Sequence, residues 1–140
     1  MSPVIDRLAE LRRHLDHLRE LRPRVTGPEL LSRDLSLHND VLFSLQTVCQ
    51  VVIDIASELS ARRNLRFQDY TEAVRNLAAF SEFSPAMVRG LEKLPAFRNV
   101  LVHDYVALDF TRVIEALDRL EPIEEFAEAV RRMEMGEGEN

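Results

Sequence analysis

Val4, Leu8, Leu11, Leu15 and Leu18 recur at alternating steps of four and three residues, the stripe of an amphipathic helix. Ser2 and Pro3 suit its start, as cap and first-turn residue, and Pro23 with Thr26-Gly27-Pro28 ends it near Arg22. Glu29 to Ser32 reads as a short helical turn. A second, long helix is predicted from about Leu35 to Ala61. Its apolar positions, among them Val41, Leu45, Val48, Cys49, Val52, Ile53, Ala56 and Leu59, cover too wide an arc for a surface helix. Arg62, Arg63 and Asn64 close it. Asp69 caps a third helix running to about Phe80, and Ser84-Pro85 opens a fourth that reaches Leu94. Asp109 caps a last helix through Val113, Ile114, Leu117 and Leu120, which Pro122 either kinks or restarts before Phe126 and Val130. The β-prone triplets Val51-Val52-Ile53 and Val100-Leu101-Val102 both fall inside longer helical periods. The pattern predicts an all-α helical bundle of about five or six helices. Residues 1–135 form a single domain, and residues 136–140 are expected to be a disordered acidic tail.

Composition narrows the function classes. Four glycines and six prolines in 140 residues are few, and they cluster between the periodic segments. No apolar run approaches the roughly 20 residues that span a bilayer, so no membrane association is expected. The first residues lack the basic and apolar regions of a signal peptide. Cys49 is the single cysteine and cannot form an internal disulfide, which points to the cytoplasm. A net charge of −6 argues against a protein that coats nucleic acid non-specifically. It leaves room for a nuclease, whose site needs only local positive potential. Of the 18 basic residues only Lys93 is lysine, and arginine suits bidentate contacts to phosphate.

Several residues carry plain structural readings. His14 and His17, three apart on the first helix, have no companion ligand and read as a solvated flank rather than a zinc pair. Neither metal nor cofactor is expected. Cys49 reads as a small core residue. The acidic run Glu121, Glu124, Glu125 and Glu128 reads as a solvated face that could attract a basic partner, and Arg62, Arg63 and Arg66 more simply as a helix-ending cluster than as an extended RNA path. Asp54 sits among apolar neighbours, so its carboxylate requires a partner, either a structural ion pair or a group in a site.

The informative segment is Phe97-Arg98-Asn99-Val100-Leu101-Val102-His103-Asp104-Tyr105: arginine, four residues, histidine, one residue, tyrosine. Arginine offers a planar fork to two phosphate oxygens, and histidine titrates near neutral pH as a general base or acid. Asn99 can orient either group through its amide. On a straight helix Arg98 and Tyr105 fall within about 20° of each other, whereas His103 lies about 140° from Arg98. Either the helix loosens near His103 or a second copy of the segment completes the site.

This segment resembles the signature of HEPN domains, and the trailing Tyr105 resembles that of their HepT branch. Asp54 in the second long helix and Asp69-Tyr70-Thr71-Glu72-Ala73 at the start of the third are also similar to that branch. The segment His38-Asn39-Asp40 departs from it, because many relatives carry an acidic-basic pair there. The resemblance implies a HEPN-type bundle and a metal-independent endoribonuclease that is the toxin of a toxin–antitoxin pair. It implies a homodimer whose composite site has Arg98 and His103 as catalytic residues, with Asn99 and Asp54 supporting. The implied partners are an RNA substrate and a minimal nucleotidyltransferase antitoxin that attaches AMP to Tyr105. The alternative it leaves open is a non-catalytic HEPN module that binds nucleotide or presents substrate to such a transferase.

Overall fold

The computed structural model describes residues 3–139, except for the side chains of Tyr105 and of residues 137–139. Among the described residues every regular element is a helix. The chain runs through α1 (Pro3–Leu21), α2 (Pro28–Arg33), α3 (Leu35–Arg62), α4 (Tyr70–Arg75), α5 (Pro85–Leu91), α6 (Leu94–His103), α7 (Phe110–Leu117) and α8 (Glu121–Glu139). Single 3-10 turns follow α1, α4 and α6.

The expected core is the observed one. Val4, Leu11, Leu15 and Leu18 of α1 are completely buried against α3, and Leu8 is half-buried beside them. From α3 the core takes Val41, Leu45, Val48, Val52, Ile55, Ala56 and Leu59. Leu101 of α6, Val113 and Leu117 of α7, and Phe126 and Val130 of α8 close over it. By length and apolar composition α3 could cross a bilayer, but 61% of its most apolar window is buried inside the bundle, so its apolar face is consumed by the core. Both β-prone triplets are helical, and Val51, Val52 and Ile53 are all buried.

Side-chain caps stand where the sequence places them. Asp69 accepts a hydrogen bond from the Glu72 amide at 2.8 Å, and the Glu72 carboxylate accepts from the Gln68 amide at 2.6 Å. Ser84 accepts from the Met87 amide at 3.1 Å, and Asp109 from the Thr111 amide at 2.9 Å. The Ser2 cap lies outside the described residues. At the far end of α3, Asn64 takes a left-handed φ of 56°, and Leu65 donates its amide to the Ser60 carbonyl at 2.9 Å, which stops the helix.

Several local features refine the sequence pattern. The third helix ends at Arg75 and tightens into a 3-10 turn over Asn76–Ala79. The Asn76 side-chain amide donates to the Arg66 carbonyl (3.1 Å) and the Ser60 hydroxyl (3.2 Å). The segment before Pro122 restarts as α8 rather than bending α7, because Asp118 ends α7. In the acidic run Glu121, Glu125 and Glu128 are exposed as expected, whereas Glu124 is partly buried. Glu124 is clamped by Arg12 and Arg19 of α1, and Glu128 by Arg131 and Arg132. His14 is likewise no solvated flank: it is mostly buried between Ser44 (3.0 Å) and Glu10 (2.9 Å). Helix α8 reaches Glu139, and the proposed acidic tail falls largely on residues whose side chains, together with all of Asn140, lie outside the described residues.

Candidate functional site: an arginine held by amides

Arg98 and Asn99 project from α6 where it packs against the middle of α3. The Arg98 guanidinium donates from Nε to Gln50 Oε1 at 2.9 Å and from Nη1 to Asn99 Oδ1 at 3.1 Å. Gln50 in turn donates from Nε2 to Asp54 Oδ1 at 2.9 Å, one turn further along α3. The other oxygen of Asp54 accepts from Arg7 Nη1 of α1 at 2.7 Å. A chain of hydrogen bonds thus runs Arg7–Asp54–Gln50–Arg98–Asn99 across three helices. Asp54 has the partner its apolar neighbours demand, and it reaches Arg98 only through Gln50.

Arg98 is half-buried, Asn99 exposed, and Nη2 of Arg98 has no partner among the described residues. A guanidinium carries five N–H donors. Two are engaged here, so one arm of the fork is left without a partner among the described residues. On the inner side of α6 the charge is felt by Cys49. Burial pushes that thiol up to about 12, against the opposing pull of its own backbone hydrogen bond and of Arg98. Cys49 is therefore the inert core thiol expected of it.

Helix α6 is continuous from Leu94 to His103, and the Asp104 amide still bonds to the Val100 carbonyl at 2.9 Å. No loosening occurs between Arg98 and His103. They stay about 140° apart around the axis and point to different sides of the helix. His103 is exposed at the C-terminal end of α6, with no hydrogen-bond partner among the described residues. The backbone of Tyr105 enters the 3-10 turn Tyr105–Ala107 just beyond it, while its side chain lies outside the described residues. A groove of about 1070 Å³ runs between α6 and α7, lined by Phe97, Val100, Leu108 and Arg112 among others. Arg98 and His103 do not line it. Among the described residues no cluster of three or more His, Cys, Asp or Glu is arranged to hold a metal ion.

With this geometry in place, comparison with known proteins is specific. The family model of HepT-like ribonucleases matches residues 11–130. The chain belongs to the HepT-like ribonuclease family. A curated relative, the mRNA nuclease HepT of Shewanella oneidensis, is 24% identical over 130 residues, spanning 91% of this chain and 96% of the relative. The solved tri-AMPylated HEPN toxin of Shewanella oneidensis, in complex with an MNT antitoxin, superposes with a TM-score of 0.81 at 24% identity. That match covers 94% of this chain and 99% of the other. A second solved toxin–antitoxin structure, with AMP-PNP, gives 0.79 at 23% identity, covering 93% of this chain and 99% of that one. At these identities the structural likeness is one of fold, and it establishes the HEPN-type bundle.

Of the residues singled out in the sequence, the structure joins Arg98, Asn99 and Asp54 in one network and leaves His103 apart from it within the subunit. Sequence reading missed Gln50 and Arg7. Gln50 carried a usable signal, because its spacing of four from Asp54 puts both on one face of α3. Arg7, 47 residues from Asp54, carried none.

Proposed function

We propose that this chain is the toxin of a toxin–antitoxin pair, a metal-independent RNA endonuclease whose composite site forms between two copies. The observation that carries the proposal is Arg98. It is positioned by amide oxygens, one arm of its fork has no partner among the described residues, and it lies on a rigid helix that ends at His103 in a chain of a ribonuclease family. Two-fold pairing of α6 segments would set Arg98 of each subunit beside the partner subunit's His103 and turn two separated half-sites into a shared cleft. Val100 and Val106 support such pairing: they are exposed, 36% and 88%, on either side of His103, and an interface would cover them.

The chemistry then follows from the residue types. His103 takes the proton of an RNA 2′-hydroxyl, and the 2′-oxygen attacks the adjacent phosphorus. The 5′-oxygen leaves with a proton returned by the same histidine, giving a 2′,3′-cyclic phosphate and a 5′-hydroxyl. Arg98 holds the charge that builds on the phosphorane oxygens, with Asn99 fixing its Nη1. Control by the antitoxin is read through Tyr105, two residues from His103. A cognate minimal nucleotidyltransferase would join the tyrosine oxygen to the α-phosphorus of ATP and release pyrophosphate. Each AMP places negative charge and bulk where the RNA phosphate would sit. The AMP groups on the Shewanella oneidensis toxin support this reading. Both partners would act in the cytoplasm, where RNA and ATP are available.

A non-catalytic HEPN module that binds nucleotide, or presents substrate to a transferase, is favoured by one observation: among the described residues His103 has no hydrogen-bond partner to orient it. One experiment separates the two. The purified protein is expected to cut RNA in EDTA, and His103→Ala to abolish cutting while the dimer persists. With the transferase and ATP, the same protein gains AMP mass at Tyr105. No cutting by the wild type, or equal cutting by His103→Ala, removes the nuclease assignment.

A further inference from the structure

Arginines elsewhere in this molecule are held mostly by carboxylates: Arg12 and Arg19 by Glu124, Arg22 by Asp118, Arg75 by Glu92. Arg98 is held by two neutral amide oxygens, although a carboxylate lies one residue further along the same chain of hydrogen bonds. A carboxylate in contact would fix the guanidinium equally well, but it would cancel the charge that a phosphate must meet. Gln50 separates the two demands. Its amide nitrogen is pinned by Asp54, and that choice leaves only its oxygen to face Arg98 Nε. The charge of Asp54 is itself balanced by Arg7, so the network adds no net negative charge beside Arg98.

We propose that Gln50 is a positioning residue, a neutral coupler that transmits the fixed orientation of Asp54 to Arg98 while leaving the guanidinium charge uncancelled. The inference rests on Arg98 gripping the RNA phosphate, as proposed above, and it names the residue that makes the grip effective. Gln50 does not touch the substrate and acts only through Arg98.

Two substitutions separate positioning from packing. Gln50→Glu keeps the size and the acceptor for Nε, but it adds charge and sets a second carboxylate beside Asp54. Asp54 raises the affinity of the new acid for a proton, whereas Arg98, in direct contact, lowers it. Once protonated, the acid donates to Asp54 and accepts from Arg98, as glutamine does. Gln50→Ala removes the coupling altogether. Cutting of RNA in EDTA is followed from pH 7.5 to 5.5 as separate kcat and KM, with thermal midpoints measured alongside and the Arg98 Nε–H followed by NMR.

The expected result for Gln50→Glu is a rate at least about tenfold below wild type at neutral pH, with a normal thermal midpoint. Gln50→Ala should lose rate at every pH, and its Arg98 Nε–H should exchange faster than in wild type. A Gln50→Glu protein that cuts at the wild-type rate, or an Nε–H unaffected by Gln50→Ala, overturns the proposal. A wild-type protein that cuts nothing overturns the ribonuclease reading and the charge argument built on it. The NMR result reports the coupling of Gln50 to Arg98 independently of cutting, which keeps the two failures distinguishable.

Discussion

The seam between α1 and α8 and the junction between α3 and α6 are both built around arginine, to opposite ends. At the seam, Arg12 and Arg19 converge on Glu124, whose side chain is only 19% exposed. Burial raises the affinity of Glu124 for a proton, yet the hydrogen bonds from Arg12 and Arg19 outweigh it and hold the carboxyl below its ordinary range. The same bond pushes the Arg12 guanidinium up. Nearby, Asp118 is held low by its hydrogen bond from Arg22. Charge is cancelled at the seam, and what remains is a tie between helices. At the junction, Arg98 is fixed through Gln50 and Asn99 with its charge intact. An arginine paired with a carboxylate holds a protein together; an arginine held by amides is available to an anion.

The largest expected effect comes from the junction. Arg98→Ala should lower RNA cutting by about 100-fold or more, in the range seen when one preorganised charge-stabilising donor is removed. Its thermal midpoint should stay close to wild type, since Arg98 is half-buried and the Asp54–Arg7 pair survives it. Unfolding of Arg98→Ala under mild conditions would break the contrast and make Arg98 a structural residue.

A smaller effect belongs to the seam. Glu124→Gln should cost about 1 kcal/mol of stability, as expected for a partly exposed ion-pair network, and leave cutting unchanged. The sign of its pH dependence follows from the lowered carboxyl. A group whose affinity for protons falls on folding contributes stability above its ordinary value, 4.5 for a glutamate, and loses it as the pH falls through that value and below. Urea unfolding between pH 6 and pH 3.5 should therefore show wild type converging on Glu124→Gln as the solution is acidified. A constant gap would mean that Glu124 acts by packing alone.

The contrast also marks how far the sequence could be read. Helices α1 and α3 were legible because a period near 3.6 and a few caps are local properties, and Asp69, Ser84 and Asp109 cap as their positions suggest. The motif from Arg98 to Tyr105 was legible because its spacing is short. Arg7 reaching Asp54, and Arg12 and Arg19 reaching Glu124, depend on how helices pack across 47 to 112 residues of chain, which no local pattern encodes. For that reason Glu124 looked as solvated as the rest of the acidic run. Gln50 lay between these cases. Its spacing from Asp54 was visible, but its meaning needed Arg98 on the facing helix.

The composite site is tested most directly by mixing. Arg98→Ala and His103→Ala proteins, each inactive alone, are combined and allowed to exchange subunits, and RNA cutting in EDTA is measured. Each mixed dimer keeps one site in which an intact Arg98 meets the partner subunit's intact His103. Activity should therefore return to about a quarter of the wild-type rate. Mixed dimers that form but cut no RNA would contradict a site shared between two copies.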